Sequence, residues 1–196
     1  MSEALSRGHA EHLFDQIDAL LDNAQREYDD VERIVVTAGP GSFTGLRVGL
    51  AAARGLAVAL DVPCLGVSTL MALSLSGKHK SPFTVLIDAR RNQHYRQDFS
   101  AIATPVSKPK AIDNERALDG LSNSSEILGS GAAWAAETIG AQNLELARDA
   151  DQRTFVNIVK LAEFGQTADP KAYPPEPCYI RDADAKPQTK KLIERI

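Results

Sequence analysis

Residues 34–45 read Ile-Val-Val-Thr-Ala-Gly-Pro-Gly-Ser-Phe-Thr-Gly, and the fold turns on this stretch. The β-branched run Ile34-Val35-Val36 ending at Ala38 has the composition of a strand. The turn GPGSFTG, Gly39 to Gly45, follows at once and opens Leu46-Arg47-Val48-Gly49-Leu50, which continues as a helix to about Leu60. Pro63 then opens a second strand, Cys64-Leu65-Gly66-Val67, and Ser68 or Thr69 can cap a helix over Leu70 to Leu73. Strand, helix and strand at this spacing make a right-handed βαβ unit, so part of the sheet is parallel.

The glycine turn invites two phosphate-loop readings, and both fail on spacing. A dinucleotide fingerprint needs a third glycine where Thr44 stands. A Walker A loop ends in Gly-Lys-Ser/Thr, but Gly45 is followed by Leu46-Arg47. Two readings of Gly39, Gly41, Ser42, Phe43, Thr44, Gly45 and Arg47 stay open. One is an anion site at exposed helix-start amides. The other is a tight turn capped by Ser42 or Thr44.

The helix after the turn is apolar on two sides. Leu46, Leu50, Ala53, Ala57 and Leu60 form one stripe; Gly45, Gly49, Ala52, Leu56 and Ala59 form a second, mostly of small residues. Only Arg47, Ala51, Arg54, Val58 and Asp61 are left for water. Such a helix needs neighbours on two sides, the second being a helix of the same lobe or of another subunit. An earlier helix, Gly8 to Ala24, sets Leu13, Phe14, Ile17, Leu20, Leu21 and Ala24 against Glu11, Asp15, Asp18 and Asp22. Its acidic stripe is either a solvated face or a partner surface. The expected interface combines Leu13, Ile17 and Leu20 with Leu46, Gly49, Leu50, Ala52, Ala53 and Leu56.

The polar, breaker-rich stretch Ser76 to Pro82 divides the chain into a first lobe, 1–80, and a second, 81–181, with a charged tail over 182–196. In the second lobe Phe83 to Ile87 is a strand, Asp88 to Asn92 a turn, and Tyr95, Gln97 and Phe99 alternate on a returning strand. Residues 101–125 are polar and poorly periodic. Ile127-Leu128 runs into Gly129-Ser130-Gly131 and a helix around Trp134 to Ile139. A further helix holds Phe155, Ile158, Val159, Leu161 and Ala162, before a Pro-rich stretch and CYIRDADA.

Composition narrows the function. With 196 residues, 43% hydrophobic and 24% charged, the chain has the balance of a globular protein. A net charge of -4 disfavours broad phosphate-backbone binding, so nucleic acid would be held mainly by another subunit. Cys64, in an apolar run, reads as a buried free thiol and shares no metal-type spacing with Cys178; no structural disulfide is suggested, which favours a reducing compartment. With no signal-length apolar core at the N-terminus, and no apolar run judged long enough to span a bilayer, the expected location is cytoplasmic.

AGPGSFTGLRVGLAAARGLA (38–57), VPCLGVSTLMAL (62–73) and Asp88-Ala89-Arg90, flanked by RGHAEHL (7–13) and CYIRDADA (178–185), resemble the TsaB (YeaZ) family in the same order. The resemblance implies the two-lobed α/β architecture of actin, sugar kinases and Hsp70, the ASKHA fold. It implies a non-catalytic subunit, with no catalytic residue or cofactor of its own. That subunit works beside a TsaD-type transferase, which places threonylcarbamoyl on N6 of adenosine 37 of tRNA, and a TsaE-type ATPase. It would meet tRNA only indirectly. The family pairs through its first two long helices, which implies a homodimer in isolation.

In one respect the chain departs from the family, which begins with about three strands, including an Ile-Asp-Thr-Ser turn, before the RGHAE helix. Here Met1 stands almost at that helix. The first lobe is therefore expected to be truncated at its N-terminus, with an open edge on the Ile34–Thr37 strand and no first phosphate loop. Two rival activities follow. A zinc peptidase would use His9 and His12, but Leu13 stands where the catalytic paralogue has its second histidine, so no metal is expected. A stand-alone nucleotide-binding enzyme would use Gly129-Ser130-Gly131 and Asp88, which serve equally as a turn and a hairpin anchor.

Overall fold

A computed structural model of the chain describes residues 9–76, 82–122, 125–139 and 156–180. Arg7, Gly8, Phe155, most of the 76–82 connection, the end of CYIRDADA and the 182–196 tail lie outside the described residues. The first elements are α1 (His9–Ala24), β1 (Ile34–Thr37), α2 (Phe43–Leu60), β2 (Cys64–Val67) and α3 (Thr69–Ser74). The hairpin β3 (Phe83–Asp88) and β4 (Gln93–Ala101) follows, then β5 (Thr104–Pro105), β6 (Lys110–Asp113), α4 (Asn114–Ala117), β7 (Glu126–Leu128), α5 (Ala132–Ile139) and α6 (Ile158–Thr167).

The strands form two sheets. In the first, β1 pairs with β2 in parallel, Ile34 beside Cys64 and Thr37 beside Val67, with α2 as the crossover. Parallel strands cannot be joined by a short turn, which is why the 18-residue helix intervenes. Ile34 and Ala38 donate to Pro63 and Val67 on the β2 side. Alternation along the strand turns the amides of Val35 and Thr37 to the opposite edge, where no strand pairs among the described residues.

Ser42 caps α2, its Oγ accepting the Gly45 N–H at 3.3 Å. At the other end Asp61 closes the helix in a left-handed conformation, φ 54°, and its N–H returns to the Ala57 carbonyl. By length and apolar composition α2 would pass as a membrane-crossing helix. This differs from the expectation of no such stretch: Arg47 and Arg54 break the run, while alanine and glycine keep the remainder apolar. Here α2 packs on β1, with Leu50, Ala53 and Ala57 buried.

The second sheet runs β5-β4-β3-β7, with β6 also on β4. The β3–β4 hairpin pairs Phe83 with Phe99 and Asp88 with His94. The stretch read as aperiodic holds β5, β6 and α4. Their strands are two and four residues long, too short for an alternation to show. One core serves both sheets: Val67, Leu70 and Leu73 meet Phe83, Val85, Phe99, Leu128 and Leu161. The Phe83 and Phe99 rings stack at 5.3 Å, worth about 0.5–1.5 kcal/mol beyond the area they bury.

The end of the described chain returns to the first sheet. Asn157, the N-cap of α6, donates its N–H to the buried Ser76. Gly165 of α6 lies so close to Val35 that an added Cβ would collide with it. Arg33 reaches past β1 to donate to the carbonyls of Gly165 and Ala168, neutralising the negative end of α6. Beyond α6, Tyr173 accepts the Gly66 N–H at 2.9 Å and Cys178 donates to Ala38 at 2.7 Å.

A Cβ on Gly66 would stand 2.7 Å from the Pro174 carbonyl oxygen and the Pro175 Cα, backbone atoms that cannot step aside. Gly66→Ala is therefore expected to destabilise the fold by about 1–3 kcal/mol and lower Tm by several degrees. Calorimetry is the check, with Gly41→Ala, where a Cβ meets nothing within 4 Å, expected to be neutral.

Candidate functional site

The residues expected to form an interface lie on the α1–α2 pair. No described residue of α1 is fully buried: Leu13, Ile17 and Leu21 are half-covered, while Phe14 is 43% and Leu20 44% exposed. The helix is amphipathic, yet α2 covers only part of its apolar face. On α2 the residues divide three ways. Leu50 and Ala53, expected in the interface, are consumed by the chain's own core. Gly49 faces β1, with Val36 4.0 Å from where its Cβ would lie. Leu46, Ala52 and Leu56 are half-buried, and Arg47, Ala51, Arg54, Gly55, Val58 and Ala59 lie open. Val58 is 84% exposed, an apolar side chain with almost no cover.

At the head of α2 the glycine turn is built into the fold. Gly39 adopts φ +93°, its carbonyl accepts the Thr69 N–H and, with Pro40, it is buried. Gly41, Ser42, Phe43 and Thr44 are exposed, and Ser42 fulfils the capping role. The Arg47 guanidinium lies 3.9 Å above the Phe43 ring, and Tyr179 stands 5.8 Å away. Sequence reasoning missed Tyr179, which arrives from 136 positions downstream (179 minus 43), and no local signal could have found it.

The acidic stripe of α1 is exposed at Asp15, Asp18 and Asp22. Asp18 accepts the Tyr28 hydroxyl, and this bond raises the hydroxyl's pKa above its usual value. His12 is exposed; the side chain of His9 lies outside the described residues. Among the described residues no three His, Cys, Asp or Glu side chains gather as a metal site. Cys64 and Cys178 are free and half-buried, Cys64 less enclosed than its apolar neighbours implied, and burial pushes both thiols up.

In the second sheet, the groups a nucleotide enzyme would use are engaged within the chain. Ser130 accepts the Asp88 N–H at 3.0 Å, Gly131 donates to the Leu86 carbonyl, and Asp88 Oδ1 accepts the Arg90 N–H at 2.7 Å. Asp88 thereby anchors a hairpin turn in which Arg90, Arg91 and Asn92 all have positive φ. Beside it His94 is buried, stacked on Trp134 at 4.3 Å, with Nδ1 2.8 Å from Asn114 Oδ1. Burial lowers its pKa, against smaller opposing effects of the Asn114 hydrogen bond and the Asp88 charge. Buried Arg96 is satisfied by Asp98 and the carbonyls of Ala117 and Asp119. For Asp98 burial is the largest single influence and would raise the pKa. Hydrogen bonds from Thr84 and Arg96, with the Arg96 and Lys110 charges, together outweigh it and hold the carboxyl low.

The class is thus an α/β protein of two sheets with an incompletely covered pair of long helices. The family model described as "TsaD: tRNA N6-adenosine threonylcarbamoyltransferase" matches residues 2–188. The tRNA threonylcarbamoyladenosine biosynthesis protein TsaB of Bacillus subtilis is 37% identical over 92 residues, 46% of this chain and 40% of that protein. The protein of the same name from Haemophilus influenzae is 28% identical over 198 residues, covering 93% of this chain and 84% of its own length. The solved structure of YeaZ from Pseudomonas aeruginosa superposes with a TM-score of 0.68 at 26% identity, over 90% of this chain and 86% of that one. The chain belongs to the TsaD family, within its TsaB/YeaZ group.

The polar cluster of the second sheet makes stability depend on pH. His94 has a folded pKa below its ordinary 6.5, so the fold favours the neutral ring. Its contribution is complete above pH 6.5 and is lost as pH falls from there through the folded pKa. Urea midpoints are expected to decline between pH 7 and 5, and His94→Gln, which cannot protonate, should flatten that decline.

Proposed function

We propose that this chain is a TsaB-type subunit of the machinery that forms threonylcarbamoyladenosine in tRNA, acting as a non-catalytic scaffold for a TsaD-type transferase. The observation that carries this reading is the α1–α2 face. Two long helices lie side by side, one without a buried residue among those described, and the other presents Val58 and small residues to solvent. Small exposed residues let a second helix pair approach closely, and apolar side chains supply the area that association needs. The TsaB relatives support the process, since both names place those proteins in threonylcarbamoyladenosine biosynthesis.

In this reading the two sheets are the lobes of an ASKHA fold, in which the second-lobe glycine turn braces Asp88 and the edge of β3 instead of gripping phosphate. The net charge of -4 gives the transferase, not this subunit, the main contact with tRNA. A TsaE-type ATPase completes the assembly, and in its absence the α1–α2 face pairs with a second copy. The two free cysteines agree with work in the reducing cytoplasm.

Val58→Glu places a charge on the most exposed apolar residue without touching the core, so the variant is expected to fold as the parent. It should weaken capture of a TsaD-type transferase by tenfold or more, and reconstituted tRNA modification should fall in step. Titration calorimetry and a modified-nucleoside assay are the checks. Unchanged affinity would remove α1–α2 as the contact surface.

A further inference from the structure

We propose that Phe43, Arg47 and Tyr179 form a stacking platform at the head of α2 that receives one unstacked nucleotide of single-stranded RNA. Only in naming tRNA as that RNA does the platform rest on the proposed function, and a single nucleotide leaves the transferase its main contact. Two large rings stand here in the open. Phe43 is 47% and Tyr179 54% exposed, with centroids 5.8 Å apart and planes tilted by 37°. The stacked rings of Phe83 and Phe99, by contrast, are buried in the core. A ring contributes its large apolar area only when something covers it, and nothing in the described chain covers this pair fully.

Both rings are fixed at their base. Phe43 opens a helix capped by Ser42, and Tyr179 follows Cys178, whose N–H is bonded to the Ala38 carbonyl at 2.7 Å. Gly41, Ser42 and Thr44 nearby are exposed, and a Cβ on Gly41 would meet nothing within 4 Å, so the approach is clear. The platform also stands apart from the proposed transferase contact. Val58 lies fifteen residues further along α2 (58 minus 43), or about 22 Å at the helical rise.

Arg47 decides the occupant. Its guanidinium lies 3.9 Å above the Phe43 ring, and it is in no ion pair among the described residues. Stacking holds the planar group in place while its N–H edge stays open to an anion. From Ala38 to Leu60 the sequence has two arginines and no Asp or Glu, although the whole chain carries -4. A surface that is locally cationic and aromatic fits a planar ring joined to an anion. An unstacked nucleotide has that form: its base lies on an aromatic or guanidinium plane, and its phosphate takes the arginine edge. Bases inside a duplex have no free face, so the occupant is a single-stranded segment, accepted with little regard to sequence.

The probe is a fluorescein-labelled single-stranded RNA dodecamer, titrated with the whole chain at low salt and read by anisotropy. Saturable binding is expected, with Phe43→Ala and Tyr179→Ala each raising Kd about tenfold. Tyr179→Phe, which keeps the ring, should bind as the parent does. Arg47→Gln should weaken binding and flatten a salt dependence whose parental slope is about -0.7 for one phosphate neutralised. The same dodecamer annealed to its complement should bind at least tenfold more weakly. Circular dichroism checks that the variants fold; Phe43→Leu and Tyr179→Leu, which keep bulk without a π face, replace an alanine variant that does not. No binding at high micromolar chain, or binding untouched by the ring variants, would overturn the platform. So would equal displacement of the dodecamer by AMP, which marks a mononucleotide site, or by an acidic aromatic peptide, which marks a protein contact. Dodecamer binding that persists while Val58→Glu leaves transferase capture unchanged would sink the α1–α2 contact face and uphold the platform.

Discussion

Three backbone hydrogen bonds of 2.7 Å meet at two consecutive residues, and the first sheet depends on them. Ala38 donates to Val67, Gly39 accepts from Thr69, and Ala38 accepts from Cys178. They bind the end of β1 to the end of β2, to the start of α3 and to the last described segment of the chain. Gly39 can serve because its φ of +93° turns the carbonyl out of the strand direction, and because a Cβ there would stand 3.2 Å from Leu46 and 3.3 Å from the Cys178 carbonyl oxygen. The head of α2 is thereby aimed by atoms that lie nowhere near it in sequence.

With its start so placed, α2 presents different faces to different neighbours. Leu50, Ala53 and Ala57 face inward and are buried; Arg47, Ala51, Arg54 and Val58 face outward. The inward side chains are mostly small, so the helix sits close to β1 and little apolar surface remains to cover α1. This explains why α1 is amphipathic yet half-bare.

The second sheet reaches its stability differently. Its inner faces hold Arg96, Thr84 and Gln97 besides the apolar core, and polar groups are tolerable there only when paired. Arg96 meets three acceptors and Thr84 bonds Asp98. Gln97 donates to Ser107 but leaves Oε1 without a partner, the one such buried side-chain atom among the described residues. The Gly129–Gly131 turn spends its Ser130 oxygen and Gly131 amide on β3, which converts a loop of phosphate-binding appearance into a brace.

Local chemistry was legible from the residues themselves. The β-branched run before Ala38, a cap at Ser42 or Thr44 and another at Ser68 or Thr69, the parallel βαβ unit and the Asp88 hairpin follow from propensity, capping and spacing, all of which act within a few residues; the fold chose Ser42 and Ser68. So does the solvent strip of α2, since helical periodicity alone separates Arg47, Ala51, Arg54 and Val58 from the rest. Short β5, β6 and α4 were illegible because elements of two to four residues carry no period. Three matters were decided only by tertiary structure: the return of α6 onto Val35, the aromatic contact of Tyr179 with Phe43, and the loss of Leu50 and Ala53 from the outer surface. Periodicity tells that a helix has two apolar faces; which of them is used up inside depends on how closely small residues such as Gly49 and Ala53 let the sheet approach, and that is a property of the packed chain.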